Sequence, residues 1–145
     1  MKIHHIGYLV DSIESAWPEF ELLGFSKISE TTEDVTRKIY ILFIKNDNYV
    51  VELIQPVSEQ SPVFKLTRRY KNTPYHICYQ VENLQYEIEN LLNNDARYAI
   101  LQPPQSAPAL GNGKVAFLVS PKIGLIELYE EQVNAEHICP TCKKL

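Results

Sequence analysis

The pattern of hydrophobic and polar positions predicts strands and helices in a repeated order. Residues 3 to 10 mix β-branched, aromatic and apolar side chains, as strands do, and residues 11 to 23 carry apolar side chains at helical spacing. Asp11 and Glu14 have the spacing of a capping box, which predicts the start of this helix. Gly24 follows the last apolar position and predicts its end. The chain therefore opens with a strand and then a helix.

The rest of the chain continues this alternation. Short runs rich in β-branched and aromatic residues predict strands at Ser26–Thr31, Lys38–Lys45, Tyr49–Gln55, Tyr75–Val81, Arg97–Leu101, Lys114–Val119 and Leu125–Glu130. Helical spacing predicts helices near Val63–Tyr70 and over Asn83–Asn94. Gln102–Gly113 holds three prolines and two glycines, which predicts a loop.

Two matches between the halves of the chain indicate an internal duplication. His5–Val10 aligns with His76–Val81, with identity at four of six positions, and Val51–Leu53 aligns with Ile126–Leu128. The offsets are 71 and 75 residues, equal within one loop insertion. We therefore expect one α+β domain over residues 1–131, made of a first module at 1–56, a connector at 57–74 and a second module at 75–131. A tail at 132–145 would follow, carrying His137 and a Cys139-x-x-Cys142 pair, which is half of a zinc site, a redox pair or simply a chain end.

Composition narrows the classes of function. The chain has 145 residues, of which 45% are hydrophobic and 22% charged, as in ordinary globular domains. Its longest apolar run, Ile39–Ile44, is far shorter than the roughly 20 residues of a membrane helix. A net charge of −4 argues against nucleic acid as a partner. Three cysteines make no disulfide framework and the first residues make no secretory signal, so we expect a cytoplasmic protein without a membrane or nucleic-acid partner.

Each duplicated half contains one His at the start of its first strand and one Glu within its last strand. Period-two alternation places His5 and His76 opposite the helix-facing residues of their strands, and it places Glu52 and Glu127 between apolar neighbours. A single histidine or glutamate in such a position is usually explained as a hydrogen-bonded core residue or as a residue on a solvated sheet face. The symmetric repetition instead favours a metal centre, because two imidazoles and two carboxylates suit zinc, nickel, cobalt, manganese or iron.

With these residues in place, the sequence resembles the vicinal oxygen chelate superfamily, which includes glyoxalase I, methylmalonyl-CoA epimerase, extradiol dioxygenases and bleomycin-resistance proteins. The resemblance covers residues 1 to about 131. It implies paired βαβββ modules that form a cup-shaped, mostly antiparallel sheet, with His5, Glu52, His76 and Glu127 as metal ligands. Glu52–Pro56, Tyr75–Ile77 and Gly113–Leu118 are similar to segments of the methylmalonyl-CoA epimerase branch.

The resemblance implies a divalent-metal-dependent isomerase, epimerase or glyoxalase I-like lyase that stabilises an enediolate after loss of a proton next to a carbonyl. Thr36 stands where the epimerases carry a non-ligand glutamate, so the expected base is Glu127 or Glu52; alternatively both are permanent ligands and another group moves the proton. An extradiol-type dioxygenase and a non-enzymatic, resistance-type binding protein are the rival classes. We expect a small-molecule substrate such as an acyl-CoA or other thioester, contacts to it from Lys114 and Arg37, and a homodimer.

Overall fold

Nine strands, three α-helices and one 3₁₀ turn make up the described part of the chain, residues 1–94 and 97–133 of a computed structural model. The elements in chain order are β1 Lys2–Leu9, α1 Ile13–Leu22, β2 Ser26–Lys27, β3 Thr32–Asp34, β4 Ile39–Asn46, β5 Tyr49–Pro56, α2 Phe64–Tyr70, β6 Thr73–Val81, α3 Leu84–Leu92, β7 Ala99–Ala107, the 3₁₀ turn Pro108–Leu110, β8 Gly113–Ser120 and β9 Gly124–Glu130. The predicted Cys-x-x-Cys of Cys139 and Cys142, with His137, lies outside the described residues.

The strands form one mixed sheet whose two halves have the same internal order. Its order is β2-β4-β5-β1-β6-β9-β8-β7, with β3 paired to β4. In the first half β1 pairs with β5 in parallel, and in the second half β6 pairs with β9 in parallel; the remaining pairs are antiparallel. The antiparallel pairing of β1 with β6 joins the halves at the centre. This is the predicted α+β arrangement of paired βαβββ modules in a mostly antiparallel sheet.

Helix α1 begins one residue later than the capping box predicts. Ser12 has extended backbone dihedrals and its hydroxyl accepts a hydrogen bond from the Ser15 backbone N–H, so Ser12 is the N-cap. The prediction that Asp11 is the cap was wrong, because the Asp11 backbone N–H donates to the Asn72 side chain and Asp11 lies outside the helix. The predicted stop at Gly24 is confirmed. Its φ of +92° follows the last helical turn, where a side chain would be strained.

Half of the predicted loop at 102–113 is a strand. β7 continues from Ala99 to Ala107 through Pro103 and Pro104, so the loop prediction was wrong over residues 102–107. Proline cannot donate to a neighbouring strand, but β7 is the last strand of the sheet and its pairing with β8 shifts register between Gln102 and Gln105. At an edge and next to such an irregularity, a missing N–H removes no ladder bond.

The two faces of the sheet bury different side chains. On one face, α1 packs on Val10, which follows β1, and on residues of β4 and β5 that include Leu42 and Leu53. On the same face, α3 packs on residues of β8 and β9 that include Leu118 and Leu128. The opposite face is concave, and the 62–66 part of the connector covers one side of it. Within the described residues, none of the helices is both long and apolar enough to cross a membrane.

Candidate metal centre

The register of the central strands brings the four predicted residues onto the floor of the concave face. In the first half, Gly7 pairs with Glu52, and across the central junction Gly7 pairs with His76. In the second half, Cys78 pairs with Glu127, and across the same junction it pairs with His5. Each half therefore contributes its glutamate beside the histidine of the other half. The two rows of paired residues, Glu52–Gly7–His76 and His5–Cys78–Glu127, lie next to each other in the sheet.

The side-chain atoms of these residues converge at short distances. His5 Nε2 lies 3.0 Å from Glu52 Oε2 and 3.1 Å from Glu127 Oε2. His76 Nε2 lies 3.0 Å from Glu127 Oε2 and 3.7 Å from Glu52 Oε2. None of the four residues is more than 5% exposed. Two imidazoles and two carboxylates are thus buried together at the point where the halves of the sheet meet.

The electrostatics of the group follow from this burial. Burial by itself would lower the pKa of His5, but the charge of Glu52 and a hydrogen bond with Cys78 raise it well above its ordinary value of 6.5. Burial by itself would raise the pKa of Glu127, but its contacts with His5 and His76 hold it well below 4.5. A buried carboxylate pair of this kind needs positive charge beside it, which either a proton on His5 or a cation supplies.

The geometry fits a divalent cation. Ligand atoms bound at about 2.1 Å lie about 3.0 Å apart when they are neighbours in an octahedral site, and about 3.4 Å apart in a tetrahedral one. The four separations above fall in or close to this range. His5 Nε2 is fully buried and makes no aligned hydrogen bond with any described residue, so a ligand position is left on it. His5, Glu52, His76 and Glu127 can therefore hold a metal ion together.

Neighbouring side chains fix the orientation of the two imidazoles. His5 Nδ1 lies 2.8 Å from His4 Nδ1, so one of these nitrogens donates a hydrogen bond to the other and His5 Nε2 faces the carboxylates. Burial raises the pKa of the Cys78 thiol to about 12, so Cys78 lies behind His5 as a neutral thiol. Phe43 and Phe117 pack edge to face against His5 and His76, with ring centroids 5.3 Å apart in each pair.

Gly7 makes room for the His76 ring. A Cβ atom at position 7 would lie 2.6 Å from His76 Nε2 and closer still to Cε1 and Nδ1. The equivalent position of the second half carries Cys78, whose thiol contacts His5 instead. The two halves therefore support their histidines differently. The sequence alignment already paired Gly7 with Cys78, but only the packing shows that the difference matters.

A cavity of about 460 Å³, within the range of small-molecule sites, opens above the candidate metal centre. Glu52 and Glu127 lie on its wall, together with apolar side chains of β4, β5, the connector and β9. Arg37 and Gln102 also line it. A second cavity, of about 510 Å³, lies beside α1 and contains none of the four residues. Although the second cavity is slightly larger, the first one is lined by Glu52 and Glu127 of the four converging residues, and we regard it as the candidate site.

The two predicted substrate contacts end up in different places. The structure brings Arg37, in the turn between β3 and β4, to the wall of the cavity. Lys114 does not reach it: along β8, Lys114 shares the face of Ala116 and Leu118, which pack against α3, whereas Phe117 faces the cavity. Lys114 was expected to enter the cup from the start of the predicted strand 114–119, but period-two alternation along β8 turns its side chain away from the cup.

Two residues of the cavity were not anticipated from the sequence. Tyr75 packs edge to face on His76, with centroids 4.5 Å apart, and burial raises its pKa well above 10, so it stays a neutral phenol. Gln102 belongs to a segment that was predicted to be a loop. Tyr75 could have been found, because it directly precedes His76 in a predicted strand. Gln102 had no such signal.

The comparisons with known proteins agree with this fold. The model of the Glyoxalase/Bleomycin resistance protein/Dioxygenase superfamily matches residues 4–117, and the chain belongs to this superfamily. A mitochondrial methylmalonyl-CoA epimerase of Dictyostelium discoideum is 23% identical over 90% of this chain and 78% of its own length. An ethylmalonyl-CoA/methylmalonyl-CoA epimerase of Cereibacter sphaeroides is 24% identical over 83% of this chain and 89% of its own.

Solved structures show the same fold. A hypothetical protein from Bacillus halodurans superposes with a TM-score of 0.80 at 25% identity, covering 92% of this chain and 96% of its own. A methylmalonyl-CoA epimerase variant from Streptomyces coelicolor, in complex with 2-nitronate-propionyl-CoA, superposes with a TM-score of 0.78 at 17% identity, covering 92% of this chain and 99% of its own. The glyoxalase-like architecture expected from the sequence is thereby confirmed.

Proposed function

We propose that the protein is a divalent-metal-dependent epimerase that moves the proton on the carbon next to a thioester carbonyl. The observation that carries the proposal is the convergence of His5, Glu52, His76 and Glu127 on the floor of a substrate-sized cavity. The epimerase relatives support an epimerase-type enzyme at modest identity. A divalent cation held by these four residues would act as a Lewis acid toward the thioester carbonyl oxygen.

Other features of the cavity would exclude water and accept the proton in the proposed reaction. The apolar walls formed by Ile39, Ile41 and Ile54 exclude water from the acyl group, which strengthens electrostatic interactions inside the cavity. Glu52 and Glu127 are the candidate proton acceptors. Glu127 Oε2 lies within 3.1 Å of both imidazoles, whereas Glu52 Oε2 lies that close only to His5. Glu52 is therefore the less constrained carboxylate, and we expect it to be the freer of the two to take a proton.

A substrate larger than an acyl group fits the surroundings. A further cavity of about 330 Å³ shares Leu66, Tyr75 and Leu125 with the main one and extends between α2 and β6. An acyl-CoA or another long thioester could place its acyl end over the metal centre and its arm in this extension. The basic residues of α2, among them Arg68 and Arg69, lie on the same connector. This supports an acyl thioester as the substrate class.

The test incubates zinc- or cobalt-loaded protein with methylmalonyl-CoA in deuterated water. Mass spectrometry of the thioester then measures how fast its α-proton exchanges with solvent deuterium. Glu52→Gln and Glu127→Gln remove the proton acceptor but leave an oxygen ligand. Loss of the acting base should slow exchange by about 10²- to 10⁴-fold while bound metal remains. Glu130→Gln is the matched control, because Glu130 lies on the same strand but accepts a hydrogen bond from the Leu84 N–H, a bond that glutamine can keep.

The outcomes separate the rival classes. Equal exchange rates in wild type and both variants, or undiminished exchange in chelator-treated protein, would refute the proposal. Turnover of an α-hydroxycarbonyl substrate without exchange of methylmalonyl-CoA would favour a glyoxalase I-like lyase. Oxygen consumption with catechols after iron loading would favour the dioxygenase class, although two carboxylates in the donor set are unlike its usual two-histidine, one-carboxylate site.

A further inference from the structure

The wall of the cavity carries a guanidinium group that is held in place by its own neighbours. Arg37 Nη1 donates to Asp34 Oδ2 at 2.7 Å, and the Arg37 backbone N–H donates to Asp34 Oδ1 at 2.9 Å. Arg37 Nε donates to Gln102 Oε1 at 3.4 Å. The Asp34 side chain is 1% exposed and that of Arg37 is 13% exposed. Asp34 and Gln102 thus fix the plane of the guanidinium, which is a prerequisite for directional binding.

Two donors of this arrangement are left over. Arg37 Nη2 and Gln102 Nε2 are fully buried, and neither has a hydrogen-bond partner among the described residues. Burying an unsatisfied donor is costly, more so when it carries charge, so such groups point to a missing acceptor. Both residues line the cavity that contains Glu52 and Glu127. The missing acceptor would therefore lie inside the candidate site.

Charge in the cavity restricts what that acceptor is. Among the described residues that line the cavity, Arg37 supplies the positive charge, Glu52 and Glu127 are acidic, and most of the remainder is apolar. A negatively charged substrate group would be repelled by Glu52 and Glu127 and poorly solvated by the apolar wall elsewhere in the cavity. Beside Arg37 and Gln102 it would instead receive charge-assisted hydrogen bonds, so this part of the wall is where such a group would be stable.

We propose that Arg37 and Gln102 form a subsite for a carboxylate on the acyl group of the substrate. This inference rests on the proposed function, because it takes the metal-side end of the cavity as the place of the thioester. It narrows the substrate class to acyl thioesters whose acyl group carries a second, anionic group. Asp34 acts as a positioning residue, since it orients Arg37 and does not line the cavity.

The test compares two ligands of equal shape. The N-acetylcysteamine thioesters of methylmalonate and of isobutyrate differ in that a carboxylate replaces a methyl group. Their dissociation constants are measured by calorimetry on the zinc-loaded full-length protein and again in the presence of a chelator. We expect wild type to prefer the methylmalonyl thioester by about 10-fold or more in both states, as charged hydrogen bonds predict. Arg37→Gln and Gln102→Leu should reduce this preference, Arg37→Gln to within about 2-fold.

Controls keep the result interpretable. Arg37→Gln leaves Asp34 buried and unpaired, so Arg37→Gln/Asp34→Asn provides a neutral pair if the single variant unfolds. Zinc content and affinity for the isobutyryl thioester report an intact cavity. A preference that survives in both Arg37 variants overturns the subsite. A preference that survives in them but disappears with chelator assigns the carboxylate to the metal centre, which also overturns it. Failure of deuterium exchange alone would refute the proposed function and leave this affinity difference standing.

Discussion

Replacing Gly7 with alanine tests whether the floor of the cavity is built as described. In an ordinary strand, Gly→Ala stabilises a protein by about 0.4–1 kcal/mol, because alanine loses less backbone entropy on folding. The conformation of Gly7 permits alanine, since its φ is not positive. The new methyl group would nevertheless lie 2.6 Å from His76 Nε2 and closer still to other ring atoms. The expected stabilisation should therefore change sign.

The size of the effect follows from the required displacement. Carbon contacts are optimal at about 3.5–4.0 Å, and the nearest ring atom, His76 Cε1, would lie well short of that distance from the new Cβ atom, so the ring must move by roughly 1.4 Å. Overpacking of this kind costs about 1–3 kcal/mol, to be measured by urea unfolding of the metal-free protein. Metal sites tolerate errors of only about 0.2 Å, and weakened ligand orientation typically lowers metal affinity about 10- to 100-fold. A zinc competition assay with a chromophoric chelator would measure this loss.

A second background provides the control. In His76→Ala the ring is absent, so adding Gly7→Ala should stabilise the protein by about 0.4–1 kcal/mol instead of destabilising it. The sign reversal between the two backgrounds is specific for the predicted clash. If Gly7→Ala binds zinc as wild type does and is no less stable, then the His76 ring does not occupy this space and the description of the centre is wrong.

Three further predictions concern metal, pH and the first helix. Zinc at 100 times its dissociation constant should raise the stability of wild type by about 2.7 kcal/mol in thermal unfolding, and it should not raise that of His76→Ala. In chelator-treated protein, the raised pKa of His5 contributes stability that is fully present below pH 6.5, its ordinary pKa, and is lost as pH rises through the pKa of the folded state. The lowered pKa of Glu127 contributes stability that is present above pH 4.5 and is lost as pH falls through the pKa of the folded state. Melting curves of His5→Gln should lack the alkaline loss. Ser12→Ala should cost about 1 kcal/mol in urea unfolding, whereas Asp11→Ala should stay within about 0.5 kcal/mol, since Ser12 caps α1.

From the sequence alone we could predict a duplicated chain and the four residues His5, Glu52, His76 and Glu127, which the fold brings together. Alternation of side chains is a local property of a strand, so His5 and Glu52 could each be assigned to a face of its own strand without knowing the sheet. The duplication then assigned His76 and Glu127 in the same way. Equal modules pair symmetrically, and that symmetry is why the four residues could be expected at one place.

The tertiary structure decided what depends on a strand's neighbours and on distant partners. β7 could run through Pro103 and Pro104 because it is an edge strand, and an edge cannot be recognised from local sequence. Lys114 turned away from the cup because it shares the face of Ala116 and Leu118, and only the packing of α3 shows which face of β8 is turned away from the cavity. The contact of Arg37 with Gln102 joins residues 65 positions apart. No periodicity links such positions, so only folding of the complete sheet places the two donors in one cavity.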